Sequence, residues 1–305
     1  MGWYTWGCDF FTSMRKQLIQ TLKSTLYTDE KTVLLLGDIG VFGFRDELKN
    51  IPSRAYNIGI LEQSTISVAA GIAKTGLIPF VHTIAPFLVE RSFEQLKIDF
   101  GYQNLNGNFI SVGASYDYAA LGCTHHCPGD VGILTNIPNM QIVVPGTSQE
   151  FDKLLTTGYN NGSPTYYRLS ETENTGTQNV EFGKGVIIKQ GKDATVICFG
   201  NMLDNVCRAC ENLDVTILYY TTILPFDIEL LKNNSNKKII ICEPFYEGSV
   251  NHIVTKALEH QKYTIYNIGV PRQFLTNYGT KQQHDEYLGL DFKEISSKIK
   301  LWLNS

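Results

Sequence analysis

Three short stretches hold side chains able to do chemistry. In Asn57-Ile58-Gly59-Ile60-Leu61-Glu62-Gln63 a carboxylate stands at the mouth of a helix whose next residues, Ile66, Val68, Ala69, Ala70, Gly71 and Ile72, are apolar and small. Glu62 therefore sits beside buried surface, where a carboxyl group can be poised for proton exchange. The same spacing also suits an acidic residue that only complements a helix N-terminus. Phe87-Leu88-Val89-Glu90-Arg91 places an aromatic ring and a guanidinium one helical turn apart, on one face of a helix. By itself Phe87 reads as an ordinary core aromatic, and Arg91 either reaches a substrate channel or pairs with a nearby Asp or Glu. The loop Cys123-Thr124-His125-His126-Cys127 offers two thiols and two imidazoles, all zinc donors. Zinc sites usually draw ligand pairs from two distant segments, however, and the other close cysteine pair, Cys207 and Cys210, falls in a helical pattern. No metal site is expected on this chain, and His126 is expected to be a satisfied surface or loop histidine.

Positioning such residues takes an α/β framework. Short apolar runs bounded by Gly, Pro or Asn recur at 32–36, 78–83, 108–112, 141–144, 165–169, 194–199, 214–219, 238–242 and 263–268. Helical periodicity fills the intervals at 8–26, 62–75, 87–100, 148–159, 203–213, 227–232 and 250–259. That alternation is the pattern of parallel sheets covered by helices. A polar, Gly-containing stretch without periodicity, Glu171 to Asn179, marks a linker. With five strands expected before it and four after, the chain reads as two consecutive domains with mainly parallel sheets flanked by helices. The first spans 1–170, the linker 171–186 and the second 187–305.

The composition narrows the function classes. In 305 residues, 26 Lys plus Arg stand against 30 Asp plus Glu, a net charge of −4. Only 18% of residues are charged, below the ~25% usual in soluble domains, so no strong binding of nucleic acid or an anionic membrane is expected. That low charge, with 43% hydrophobic residues and 16 Tyr, points to surface covered by another protein chain. Seven cysteines scattered from Cys8 to Cys242 do not read as a disulfide framework, and no apolar stretch approaches the ~18 residues of a membrane span. The expectation is a cytoplasmic protein.

The stretch Gly59-Ile60-Leu61-Glu62-Gln63, with its small-residue helix, resembles the pyrimidine-binding domain of transketolases. Further segments fall in that family's order. Phe87 to Gln95 is similar to its cofactor-stacking segment, Gly122-Cys123-Thr124-His125 to its Gly-x-Thr-His loop, and Ile137-Pro138-Asn139-Met140 with Val144-Pro145-Gly146 to the next strand and turn. Gly191 to Val196 and Ile268-Gly269-Val270-Pro271 resemble the family's C-terminal domain, so the likeness runs through essentially the whole chain. It is closest to the short C-terminal subunits of split transketolases.

The resemblance implies thiamine diphosphate chemistry. In it, Glu62 hydrogen-bonds N1′ of the aminopyrimidine and favours its imino tautomer, Phe87 stacks on the pyrimidine face, and Asp38 and Ile39 approach the cofactor from the loop after the first strand. His125 aligns with a substrate-contacting histidine, where imidazole donates to a substrate oxygen or moves a proton. The diphosphate and its Mg2+ are held in such families by a Gly-Asp-Gly turn and a later asparagine pair. Here Gly37-Asp38-Ile39-Gly40 lacks the third glycine, and the residues at the corresponding distance are Val68-Ala69-Ala70. The implied arrangement is a separate N-terminal transketolase subunit carrying the diphosphate and Mg2+ site, in an α2β2 heterotetramer with the active site at the interface. Three substrate-reading positions depart from ordinary transketolases: Leu121 replaces an acidic residue, Gly113 a histidine, and Glu171 an arginine that binds the acceptor's phosphate. A carboxylate at 171 would repel a phosphate. The expected activity is ketol transfer from a small-molecule ketose donor to a non-standard aldehyde or ketone acceptor in a specialised sugar or secondary pathway. Two other readings stay open, a β subunit of a 2-oxoacid or acetoin dehydrogenase and a non-catalytic scaffold subunit.

Overall fold

The computed structural model describes residues 13–304. Six strands precede the polar stretch: β1 (Thr32–Leu36), β2 (Ala55–Asn57), β3 (Ile78–Ile84), β4 (Gly107–Val112), β5 (Gln141–Val143) and β6 (Pro164–Arg168). Six follow it: β7 (Gly185–Lys189), β8 (Ala194–Phe199), β9 (Val215–Tyr220), β10 (Thr222–Leu224), β11 (Lys238–Tyr246) and β12 (Thr264–Val270). They form two sheets, ordered β10-β5-β6-β4-β3-β1-β2 and β12-β11-β8-β9-β7. Every pairing is parallel except β10 with β5 and β7 with β9. The chain is thus two α/β layers with mainly parallel sheets, and β10 ties the second half to the edge of the first sheet.

The central strands carry the core. Every residue of β1, β3, β4, β6, β8 and β9 is buried, as parallel strands covered on both faces must be. Their continuous apolar runs follow from that. The strands not anticipated are edge or short ones: β2, β10 and the half-exposed β7, which begins at Gly185 inside the stretch expected to be linker. Two C-terminal helices, Lys281–Leu288 and Phe292–Leu303, are further additions to the expected elements. The first has a capping box between Thr280 and Gln283 and a left-handed Gly289 after its end, signals present in the sequence. The part of the expected helix 8–26 that precedes residue 13 lies outside the described residues.

One expected helix is corrected. Residues 87–100 do not form a single helix: Ala85–Leu88 is a four-residue turn of helix, Phe93–Gln95 is a second, and Leu96–Tyr102 is a π-helix. The Ser92 hydroxyl donates to the Phe87 carbonyl at 3.2 Å, and the amides of Glu90 and Arg91 both turn back to the Pro86 carbonyl at 3.0 and 3.1 Å. A serine that captures a nearby carbonyl competes with the helix ladder, and the chain kinks there. Among the described residues, no helix is long and apolar enough to cross a membrane.

The second sheet supports the first through the end of β11. Its Tyr246 amide donates to the Pro128 carbonyl at 2.8 Å, directly below the Cys123–Cys127 loop. Just before it, the buried Glu243 accepts from the amides of Gly248 and Ser249 at 3.1 and 3.0 Å, shaping the turn. Burial pushes its carboxyl up from the ordinary 4.5 to about 8. The folded chain then binds this proton more tightly than the unfolded chain, so the group's contribution to stability is full below pH 4.5 and is lost as pH rises through about 8. Replacing Glu243 by Gln is expected to flatten the fall in stability across that window, read from urea unfolding midpoints at a series of pH values.

Candidate active site

The carboxyl ends of β1, β3, β4 and β6 open on one side of the first sheet, the edge where α/β proteins bind ligands. After β1, Gly37 packs so closely on Thr83 that a Cβ there would lie 3.1 Å from the Thr83 side chain. Asp38 follows with φ 66° and Gly40 with φ 85°, the latter against the buried His82 ring. This loop is fastened to the turn before Glu62 by Asn57. Its Oδ1 accepts from the amides of Asp38 and Gly59 at 3.0 and 3.2 Å, and its Nδ2 donates to Asp38 Oδ1 at 3.2 Å. Gly59 takes φ 85°, which lets the chain swing into the helix Glu62–Lys74.

Glu62 is the first residue of that helix and is 3% exposed. Its Oε2 accepts from Arg91 Nη1 at 2.6 Å, whereas its Oε1 is buried with no hydrogen-bond partner. Of the two roles open to Arg91, the structure shows the ion pair, and the acid is Glu62. The guanidinium also lies over the Phe87 ring, 4.3 Å from its centroid. The shared face expected from a helix is therefore achieved by a turn: the helix ends at Leu88, and the chain brings Arg91 back over Phe87. Phe87 is half-buried against the core, and the His125 ring meets it edge-on at 5.6 Å between centroids. Thr124 Oγ1 sits 2.9 Å from His125 Nδ1 and fixes the ring's orientation. Glu62, Arg91, Phe87 and His125 thus form one chain of contacts.

The other expected residues lie outside that chain. Asp38 is held by Asn57, and Ile39 packs against the core behind the same loop. Leu121 is 52% exposed on a short turn before Gly122. Glu171 follows β6, and its amide donates to Asp117 Oδ2 at 2.9 Å. Its carboxyl is pushed up by desolvation and by the Asp117 charge, with Arg15 opposing, in a cleft of about 220 Å3 lined also by Ser13, Arg15, Val112 and Ser170. Asp117 is itself buried and its carboxyl is raised, chiefly by burial. Sequence reasoning missed it, because nothing in Ser115-Tyr116-Asp117-Tyr118 marks that burial.

His126 is corrected as well. It is 7% exposed, not a loop-surface histidine, and it faces His284 from the second half of the chain at 5.8 Å between ring centroids. Tyr116 meets the same His284 ring at 5.5 Å and donates to Asp285 Oδ1 at 2.6 Å. The loop is closed below by the Cys127 amide on the Ser115 carbonyl at 2.7 Å. Cys123 is exposed and Cys127 buried, and among the described residues no group of three or more His, Cys, Asp or Glu is disposed to hold a metal ion.

A buried carboxylate, a half-buried aromatic ring and a histidine thus stand in one chain of contacts beside the strand ends of the first of two mainly parallel α/β sheets. The chain belongs to the transketolase family: the family's pyrimidine binding domain matches residues 12–175 and its C-terminal domain residues 183–295. The chain is 36% identical over 288 residues to an uncharacterized 33.6 kDa protein in the fasciation locus of Rhodococcoides fascians, covering 93% of this chain and 92% of that one. It is 28% identical to one of the subunits of the apulose-4-phosphate transketolase of Phocaeicola vulgatus, covering 92% of this chain and 94% of the relative. Among solved structures, the inactive β4 tetramer of a split-gene transketolase superposes with a TM-score of 0.84 at 24% identity, over 96% of this chain and 99% of that one. Against the longer 1-deoxy-D-xylulose-5-phosphate synthase of Pseudoalteromonas translucida, 32% identical, the chain spans 43% of the relative's length.

Proposed function

We propose that this chain is the C-terminal subunit of a split, thiamine diphosphate-dependent transketolase, with Glu62 as the group that activates the aminopyrimidine. The observation that carries this reading is the state of the Glu62 carboxylate. One oxygen is held by Arg91, which also lies over the Phe87 ring, and the other, Oε1, is buried without a partner. A buried unpaired carboxylate oxygen is costly unless a ligand completes it, and a ring nitrogen at N1′ is such a ligand. The residues present therefore fit the cofactor's pyrimidine half: Glu62 would hold N1′, Phe87 would bear the ring, and Asp38 and Ile39 would border it. When bound, thiamine diphosphate supplies the reactive carbon for ketol transfer. Glu62 holds and moves the proton at N1′, and His125, oriented by Thr124, donates to the substrate oxygen or moves its proton.

The diphosphate half and Mg2+ belong, in this reading, to an N-terminal partner subunit, and the working assembly is an α2β2 heterotetramer. The relative whose β4 tetramer is described as inactive supports that dependence. Glu171 supports an acceptor that carries no phosphate at the position it reads, since a carboxylate in that cleft repels one whenever it is ionised. The test is an assay of the complex reconstituted with a neighbouring-gene chain that contains Gly-Asp-Gly. Ketol transfer to neutral aldehydes, with phosphorylated aldoses at least about 10-fold poorer in kcat/KM, is the expected result. Ordinary rates with xylulose 5-phosphate and ribose 5-phosphate would overturn the acceptor assignment. A requirement for a lipoyl-protein acceptor would instead mark a 2-oxoacid or acetoin dehydrogenase.

A further inference from the structure

Arg91 covers the ring face that the proposed reading gives to the cofactor's aminopyrimidine, and it holds the second oxygen of the carboxylate whose Oε1 is reserved for N1′. Its Nη1 donates to Glu62 Oε2 at 2.6 Å, and its guanidinium carbon stands 4.3 Å from the Phe87 centroid. A guanidinium is flat, delocalised and rich in N–H donors, and it stacks on aromatic faces while it pairs with carboxylates. An aminopyrimidine that lies on Phe87 and hydrogen-bonds Glu62 presents the same shape and the same polarity.

We infer that Arg91 is a built-in stand-in for the aminopyrimidine: before the cofactor binds it neutralises Glu62 and covers Phe87, and cofactor entry displaces it from the Phe87 ring. The inference rests on the reading of Glu62 and Phe87 proposed above. Its necessity comes from burial. The Glu62 side chain is 3% exposed, and a carboxylate so buried is costly to leave uncompensated. Its feasibility comes from asymmetry, since the Arg91 side chain is 38% exposed and can leave toward solvent without repacking the core. The backbone beneath it stays fixed, because Ser92 Oγ holds the Phe87 carbonyl and the Arg91 amide holds that of Pro86. Cofactor loading then competes with an intramolecular contact, and the apparent affinity is the intrinsic one multiplied by the fraction of chains in which Arg91 has left its seat.

The experiment is calorimetric titration of thiamine diphosphate with Mg2+ into the reconstituted two-chain complex, with wild-type, Arg91→Met and Arg91→Lys chains. Met keeps the length and flexibility of the side chain and removes its charge and donors. Arg91→Met is expected to bind about 10-fold more tightly than wild type, while its empty form melts at a lower temperature and gains more from the cofactor. Arg91→Lys, which keeps the charge without the planar fork, is expected to fall between them, and it carries the comparison where the Met variant does not fold. Equal or weaker binding by the variants, with wild type binding normally, overturns the stand-in and leaves the Glu62 and Phe87 reading intact. Absence of binding by the wild-type complex overturns both.

Discussion

A Glu62→Gln complex is expected to load thiamine diphosphate but to transfer ketol units about 10²–10⁴-fold more slowly than wild type, the usual worth of a positioned acid–base group. The reason lies in what the amide keeps and what it loses. Gln preserves the volume of a side chain that is 3% exposed, so the helix start and its apolar neighbours are retained. It cannot exchange a proton at the position now held by the partnerless Oε1. The variant also loses the ion pair with Arg91, whose guanidinium is partly solvated. Two measurements separate the effects: turnover, and exchange of the bound cofactor's C2 proton with solvent deuterium followed by NMR. Both are expected to slow together. Unchanged exchange in the variant would remove Glu62 from the chemistry and favour a scaffold subunit.

The largest stability effect is expected at Arg168, far less visible in sequence than Glu62. Arg168 is 2% exposed, with Nε donating to Asp130 Oδ2 at 2.7 Å and Nη2 to Ser115 Oγ at 2.7 Å. Asp130, 0% exposed, also accepts from the Tyr166 hydroxyl at 2.8 Å and from the Val131 amide at 2.9 Å. Ser115 donates in turn to the Pro244 carbonyl, and its backbone pairs with Cys127, so this network joins β6, β11 and the loop that presents His125. Arg168→Met leaves Asp130 buried without its cation and is expected to cost about 3–5 kcal/mol, read from urea unfolding. Replacing both partners, Arg168→Met with Asp130→Asn, is expected to recover much of that loss, because the penalty belongs mainly to the stranded charge. A single-variant loss below about 1 kcal/mol would show that the pair does not hold the two halves together.

What can be read ahead of the structure follows burial. Strands buried on both faces, such as β3 and β8, write themselves as unbroken apolar runs. Edge strands such as β2 and β7 are half solvated and leave no such trace. In the site, Glu62 and Phe87 are legible because each sits in a short local pattern. The pairing of Arg91 with Glu62 is open between two outcomes in the sequence, since spacing along one segment says nothing of a carboxylate on another. The extended helix expected there stops at Leu88, where the Ser92 hydroxyl captures the Phe87 carbonyl and turns the chain. Asp117 and the His126–His284 contact are invisible, for they depend on packing between segments far apart in sequence.

In the function proposed above, this chain holds half of a cofactor site, with Glu62 and Phe87 serving the aminopyrimidine and a separate N-terminal chain serving the diphosphate. Calorimetric titration of thiamine diphosphate and Mg2+ tests it most directly, on this chain alone and then on its mixture with the neighbouring Gly-Asp-Gly chain. Binding in the mixture only, weakened by Phe87→Ala, is the expected result. Tight binding by this chain alone, or no binding in either sample, would contradict it.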